Sequence, residues 1–361
     1  MKNKTKQNYY FRSFFVIGVF LFSLLFLYCT NHPVTHEDNE KPKRNFSWSI
    51  DTLKYPGSYQ TLMRNIWGAS HDDIYIVGHN SSGFGKMYHY NGENWEAVKL
   101  TQGQGGPILG PIDLNYIFGL DSQHIWATGE RYFWNPLEGG TYTDSCMIVF
   151  FDGITWIDQP VHGSRSISSL WAHDPQNAWA TSYDGLIYYY NGISWEKSTE
   201  FEDVQFASIY GSSPTNIFAI GSKFDTMPYD SVLNYVFYYN GNVWSKIDSL
   251  YEHIPPYTRN SIWLLNDNDV YIAGWGVFKK NNGGWSRIFN EDAWISKVRG
   301  TANNNLFAVG AESRIFHYNG NDWYRYDQFT SPYAITGVWA DGNEVIALGN
   351  DGFVSYVFHG K

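Results

Sequence analysis

The sequence predicts an all-β protein, a seven-bladed β-propeller of four-stranded antiparallel blades. Three observations carry that expectation. One phrase recurs seven times between Asn65 and Gly349. The two turns inside each copy keep nearly constant spacing. The last copy ends before its fourth strand, and a matching strand stands ahead of the first copy, around Trp48. Composition agrees, since aromatic residues make up 19 % of the chain and charged residues 17 %. Short runs of Val, Ile, Tyr, Phe and Trp alternate with Asn, Gly, Asp and Ser, and no long amphipathic helical stretch interrupts them.

The chain opens on a basic leader, Lys2, Lys4, Lys6 and Arg12, followed by an apolar run from Phe14 to Tyr28. A run of 15 residues falls short of the roughly 20 that a spanning helix needs and fits a secretory signal. It stops at Cys29, which resembles the lipobox cysteine of bacterial lipoproteins, although Tyr28 stands where those proteins usually carry a small residue. An uncleaved signal anchor is the alternative, and no A-x-A-like site marks ordinary cleavage. The expected layout is a signal at 1–28, a polar flexible tether at 29–44 and the propeller at 45–361. Resemblance to lipoproteins implies lipidation at Cys29, membrane attachment through the N-terminus and a place in the cell envelope, on the outer membrane or cell surface. Four of the 25 basic side chains and none of the 35 acidic ones lie in 1–28. The remainder is strongly acidic and would repel a phosphate backbone, so no nucleic-acid partner is expected. After Cys29 the one remaining cysteine is Cys146. It reads as a core or loop residue, with no internal disulfide.

Each copy can be read strand by strand. Strand A carries a motif such as Asn65-Ile66-Trp67-Gly68, and a polar turn follows. Strand B is a run such as Ile74-Tyr75-Ile76-Val77-Gly78. Strand C is aromatic, as in Tyr88-His89-Tyr90. Asn91-Gly92 then supplies a hairpin turn, and strand D begins at Trp95. The strand A position is aromatic in Trp67, Phe118, Trp171, Tyr210, Trp263 and Trp339 and is Arg299 in the sixth copy. From it to the end of strand B is 11 residues in six copies and 10 in the last. One blade cannot bury both of its apolar faces, so copies must stack around an axis. The seventh copy closes if Phe46–Ile50 supplies its missing strand D, with Trp48 as the strand D tryptophan.

The Asn/Asp-Gly-x-x-Trp hairpin resembles an Asp-box turn, closest in Asp152-Gly153-Ile154-Thr155-Trp156. Over roughly 45–361 the repeat also looks like that of bacterial propeller lipoproteins and of photosystem-assembly-factor-type propellers. This resemblance implies architecture far more than function.

Loop lengths point to one face. The A–B and C–D turns lie on one side of the disc and barely vary, whereas B–C and D–A connections lie on the other. End of strand B to turn glycine takes 9 to 11 residues in four copies but 14, 24 and 20 in blades 1, 2 and 4. Expanded loops on a rigid disc suit binding. The candidate binding residues there are Tyr132, Phe133, Trp134 and Tyr142 in blade 2, and Phe224, Tyr229, Tyr251 and Tyr257 around blades 4 and 5. Aromatics stack on sugars, anchor protein partners, or cap their own loops. Arg299 is a further candidate, facing the axial channel or pairing with a nearby acid.

P-loop, paired-Cys zinc, HExxH and GxSxG motifs are absent from the sequence. Acidic A–B turns such as Asn266-Asp267-Asn268-Asp269 lack EF-hand spacing and suit Asx turns. His89 and His317 fall where another strand C copy carries Tyr189, and so read as packing residues. The expected function is a non-catalytic, cofactor-free, lipid-anchored propeller that binds a protein or a glycan. The alternatives are a glycan-active hydrolase on the same face and an assembly factor for a membrane complex.

Overall fold

The computed structural model describes residues 42–361 apart from 83–85, 136–140, 164–165, 225–231, 253–260, 283, 290–293 and 330–333. The described residues form seven four-stranded antiparallel sheets. β1 (Trp48–Leu53) opens the chain. Blade 1 is β2 (Thr61–Ser70), β3 (Asp73–Asn80), β4 (Met87–Tyr90) and β5 (Trp95–Ala97). Blade 2 is β6 (Ile112–Asp121), β7 (His124–Asn135), β8 (Thr141–Phe151) and β9 (Trp156–Gln159). Blade 3 is β10 (Ile167–Asp174), β11 (Asn177–Ser182), β12 (Leu186–Tyr190) and β13 (Trp195–Glu200). Blade 4 is β14 (Gln205–Ser213), β15 (Asn216–Phe224), β16 (Val232–Tyr239) and β17 (Trp244–Glu252). Blade 5 is β18 (Ser261–Leu264), β19 (Val270–Gly274), β20 (Gly276–Asn281) and β21 (Gly284–Arg287). Blade 6 is β22 (Ile295–Ala302), β23 (Asn305–Gly310), β24 (Ile315–Tyr318) and β25 (Trp323–Arg325). Blade 7 is β26 (Ala334–Ala340), β27 (Val345–Asn350) and β28 (Ser355–Gly360), completed by β1.

The ring closes as the sequence predicts. β1 pairs antiparallel with β28 from Trp48↔Gly360 to Leu53↔Ser355. Beyond it, Ser47 N donates to Lys361 O at 2.8 Å and Lys361 N to Ser47 O at 3.0 Å. The Trp48 ring packs edge-on against Tyr326 and Phe329, both at 5.1 Å. The chain already engages the disc at Arg44, whose guanidinium lies 3.2 Å from the Asp322 carboxylate and over the Tyr324 ring.

The repeat phrase has a packing cause at each position. Strand B runs through the middle of its blade and is apolar on both faces, so β19 and β23 are buried at every residue. The strand A tryptophan reaches across to the next blade's strand A glycine. A Cβ at Gly119 would stand 2.4 Å from the Trp67 indole, and one at Gly211 2.8 Å from the Trp171 indole. Trp339 donates its Nε1 hydrogen to Gly68 O at 2.9 Å, which carries the same contact across the closing seam. These glycines are required by close approach of a ring, not by backbone conformation. In the C–D turns, Gly92, Gly153, Gly192, Gly241 and Gly320 have φ between 86° and 92°, the left-handed region that favours glycine. The preceding Asn or Asp caps each turn. Asn91 Oδ1, for example, accepts the amides of Glu93 at 3.0 Å and Asn94 at 2.9 Å. The strand D tryptophan then stacks on the last strand C aromatic, as in Tyr90–Trp95 at 5.0 Å and Tyr190–Trp195 at 5.2 Å.

Candidate functional site

Two of the expanded B–C connections are not loops. In blade 2 the ladder between β7 and β8 continues from Ile125↔Phe151 to Asn135↔Thr141. In blade 4, β15 and β16 pair from Ile217↔Tyr239 to Phe224↔Val232. The B strand of blade 2 has 12 residues against 6 in blade 3. At about 3.3 Å per residue the surplus projects roughly 20 Å off the disc. Hairpins satisfy their own backbone groups where a long loop would leave them to water, so the inserted residues extend the sheet. Between these hairpins lies blade 3, whose short B–C turn leaves Tyr183 exposed.

The base of the blade 2 hairpin is held by a polar cluster. Asp113, on β6, accepts a hydrogen bond from Lys86 Nζ at 2.6 Å and lies 2.7 Å from His79 Nδ1. Lys86 is buried and also donates to Asn80 O at 2.7 Å. Burial lowers the Lys86 pKa, and its bond to Asp113 opposes that shift. On the neighbouring strand the Tyr132 hydroxyl is 2.6 Å from Glu130 Oε1 and 3.0 Å from Asp113 Oδ2. Its single proton goes to the nearer oxygen. Burial, followed by the Glu130 and Asp113 carboxylates, pushes the phenol pKa far up. Arg131, one residue along and so on the opposite face of β7, pairs with Asp158 on β9. The cluster ties His79 and Lys86 of blade 1 to Asp113, Glu130 and Tyr132 of blade 2.

A second chain of contacts runs along the starts of the inner strands. Exposed Arg64, on β2, donates to Asn115 Oδ1 on β6, and Asn115 Nδ2 donates to Ser166 Oγ beside β10 at 2.5 Å. Tyr183 is close enough to feel the charges of both Arg64 and Glu130. This rim was not foreseen as a unit. Its signals in the sequence were a lysine ahead of an aromatic strand at Lys86 and an acid within the run Ile112-Asp113-Leu114.

The foreseen residues fall into four groups. Tyr132 is half-buried with its hydroxyl engaged. Phe133 and Trp134 lie on β7, Tyr142 on β8, Phe224 at the end of β15 and Tyr251 on β17, so all five belong to strands where loops were expected. Trp134 pairs with Tyr142 in the backbone register, and Tyr251 with Leu233. Cys29, Tyr229 and Tyr257 lie outside the described residues. Arg299 lines a cavity of about 190 Å³ on the axis, with Asn65, Trp67, Tyr116, Tyr210 and Trp339 among its walls. Cys146 is buried, with its thiol 3.6 Å from Val161 O and its pKa pushed up to about 11, chiefly by burial.

No family model matches this chain, and no curated protein matches it in sequence. Solved structures do. YCF48 bound to a D1 peptide is 12 % identical, with a TM-score of 0.61 over 89 % of this chain and 99 % of that one. The WD40 β-propeller domain of Doa1 is 11 % identical, with a TM-score of 0.55 over 86 % and 96 %. A catalytically inactive virginiamycin B lyase from Staphylococcus aureus with quinupristin has the same identity and score, over 86 % and 99 %. A binder of peptide and an enzyme thus share the scaffold, and what these likenesses show of the chain is that it is a seven-bladed β-propeller.

Proposed function

We propose that the chain is a non-catalytic, lipid-anchored binding protein of the cell envelope that holds a protein partner on the face bearing the B–C hairpins. The observation that carries this reading is the pair of strand extensions in blades 2 and 4, which rise from one side of the disc around the short turn of blade 3. Arg64, Glu130 and Tyr183 give the floor between them both charge signs and an aromatic ring. YCF48, a propeller of similar fold, holds a peptide, which supports a protein over a sugar as the ligand. The hydrolase alternative would draw on Asp113, Glu130 and Tyr132. Their contacts weaken it, because Asp113 is held by Lys86 and His79, and the phenol is held in its protonated form. A catalytic acid–base pair needs groups free to exchange protons with a substrate.

A pull-down from native envelope extract tests the face. Phe133→Ala combined with Trp134→Ala should weaken retention of the wild-type partner at least tenfold, about 1.4 kcal/mol. An unchanged set of partners removes the blade 2 hairpin from the site. Ligand retained undiminished after the extract is digested with protease would replace a protein by a glycan. The anchor is tested separately by metabolic labelling with palmitate. Cys29→Ser should abolish incorporation, and undiminished label in that variant would refute lipidation at Cys29.

A further inference from the structure

Where six copies of strand A carry an aromatic ring, β22 carries Arg299. Two residues earlier, on the same side of the strand, is Lys297. Both side chains cross toward other blades. Lys297 Nζ stands 5.3 Å from the centre of the Tyr116 ring of blade 2, and the Arg299 guanidinium 5.5 Å from the Tyr210 ring of blade 4. Arg299 Nη1 donates to Ser261 Oγ at 2.9 Å and to Val298 O at 2.7 Å. Nε and Nη2 are left without a protein acceptor among the described residues. Neither cation forms an ion pair among the described residues, although the chain carries 35 acidic side chains. Two like charges in a desolvated channel repel each other, and a group of opposite sign between them would relieve that cost. Arg299 lines the 190 Å³ axial cavity directly. A cavity of about 150 Å³ admits benzene, so an inorganic oxyanion or a compact carboxylate has room.

We propose that the axial channel is a binding site for a small oxyanion, held by Arg299 in the cavity wall and by the charge of the neighbouring Lys297. The site is independent of the hairpin face. Its charge is set by few groups. Lys297 lies over the Tyr116 ring and beside the Arg299 charge, and Arg299 lies over the ring of Tyr210, whose phenol burial pushes up. Lys297 changes charge between pH 6 and 8.5, because burial, and then Arg299, lowers its amine to about 7. Anion affinity should therefore fall as pH rises through that range.

The test is calorimetric titration of the folded protein with sodium sulfate and, separately, sodium acetate, both of which keep their charge between pH 6 and 8.5. At least one should bind at pH 6 and bind about tenfold more weakly at pH 8.5. Arg299→Trp, which restores the aromatic of the repeat, should abolish binding. Lys297→Met should weaken it and flatten its pH dependence. Failure of both anions to bind the wild type, or binding that both variants leave unchanged, overturns the site. Should either variant not fold, the wild type decides alone, and an affinity that is flat or rises from pH 6 to 8.5 overturns the site.

Discussion

His317 is fully buried on β24, stacked on Phe307 at 4.3 Å and 2.7 Å from Asn305 Oδ1 through its Nε2. Asn305 Oδ1 is an acceptor, so Nε2 carries the proton, and Nδ1 is left buried without a partner among the described residues. Burial, with the nearby Arg44 charge, lowers its pKa from 6.5 to about 4. The neutral ring is thus the folded form, and the unfolded chain binds the proton more readily. Stability from this residue is complete above about pH 6.5 and is lost as pH falls toward 4. By pH 5 the loss is about 2 kcal/mol. In urea unfolding at pH 7 and pH 5, His317→Phe should show a smaller drop than wild type by roughly that amount, and an equal drop would refute the assignment. The packing role of His89 and His317 was legible because each replaces a tyrosine of the same strand. The direction of Arg299 was not legible, because a strand residue facing the axis can meet an acid, a ring or solvent, and spacing does not choose among them.

Among the elements, β1 is the one supplied from far along the chain. Trp48 packs its side chain against blades 6 and 7, and Leu53, 4 % exposed, buries its own against blades 7 and 1. Burial of such side chains contributes about 1.5–3 kcal/mol each, and loss of the strand also bares the backbone edge of β28. A chain beginning at Lys54 should melt at least roughly 10 °C lower than the full propeller by calorimetry, and a peptide of residues 42–54 added in trans should recover part of the difference. An unchanged melting temperature would mean that β28 needs no partner. This strand was legible because a split copy leaves a gap at one end and a surplus at the other. The hairpins of blades 2 and 4 were legible only as surplus length. Nothing in Phe133-Trp134-Asn135 distinguishes an aromatic-rich loop from a sheet that continues past its neighbours, since hairpin pairing depends on both arms meeting in register.

For the whole molecule, blade number and the elaborated face follow from counting residues between fixed landmarks. The rim does not. Arg64, Asn115 and Ser166 meet because three blades converge at the axis, and a linear reading sees three unrelated polar residues. The same holds for Lys297 and Tyr116, which belong to blades 6 and 2 and touch only across the channel.

The hydrogen-bonded pair Ser47–Lys361 places the two ends of the described chain side by side. Traction on the segment ahead of Arg44 would be transmitted first to β1, the strand that seals the ring. Load borne there would peel the seam between Trp48 and Gly360 before reaching any covalently continuous blade. The strength of that short ladder therefore sets how much pull the disc can withstand. Conversely, because Ser47 and Lys361 adjoin, the ring could be cut at another inter-blade connection and Lys361 joined to Ser47 through a short link, removing that weak point.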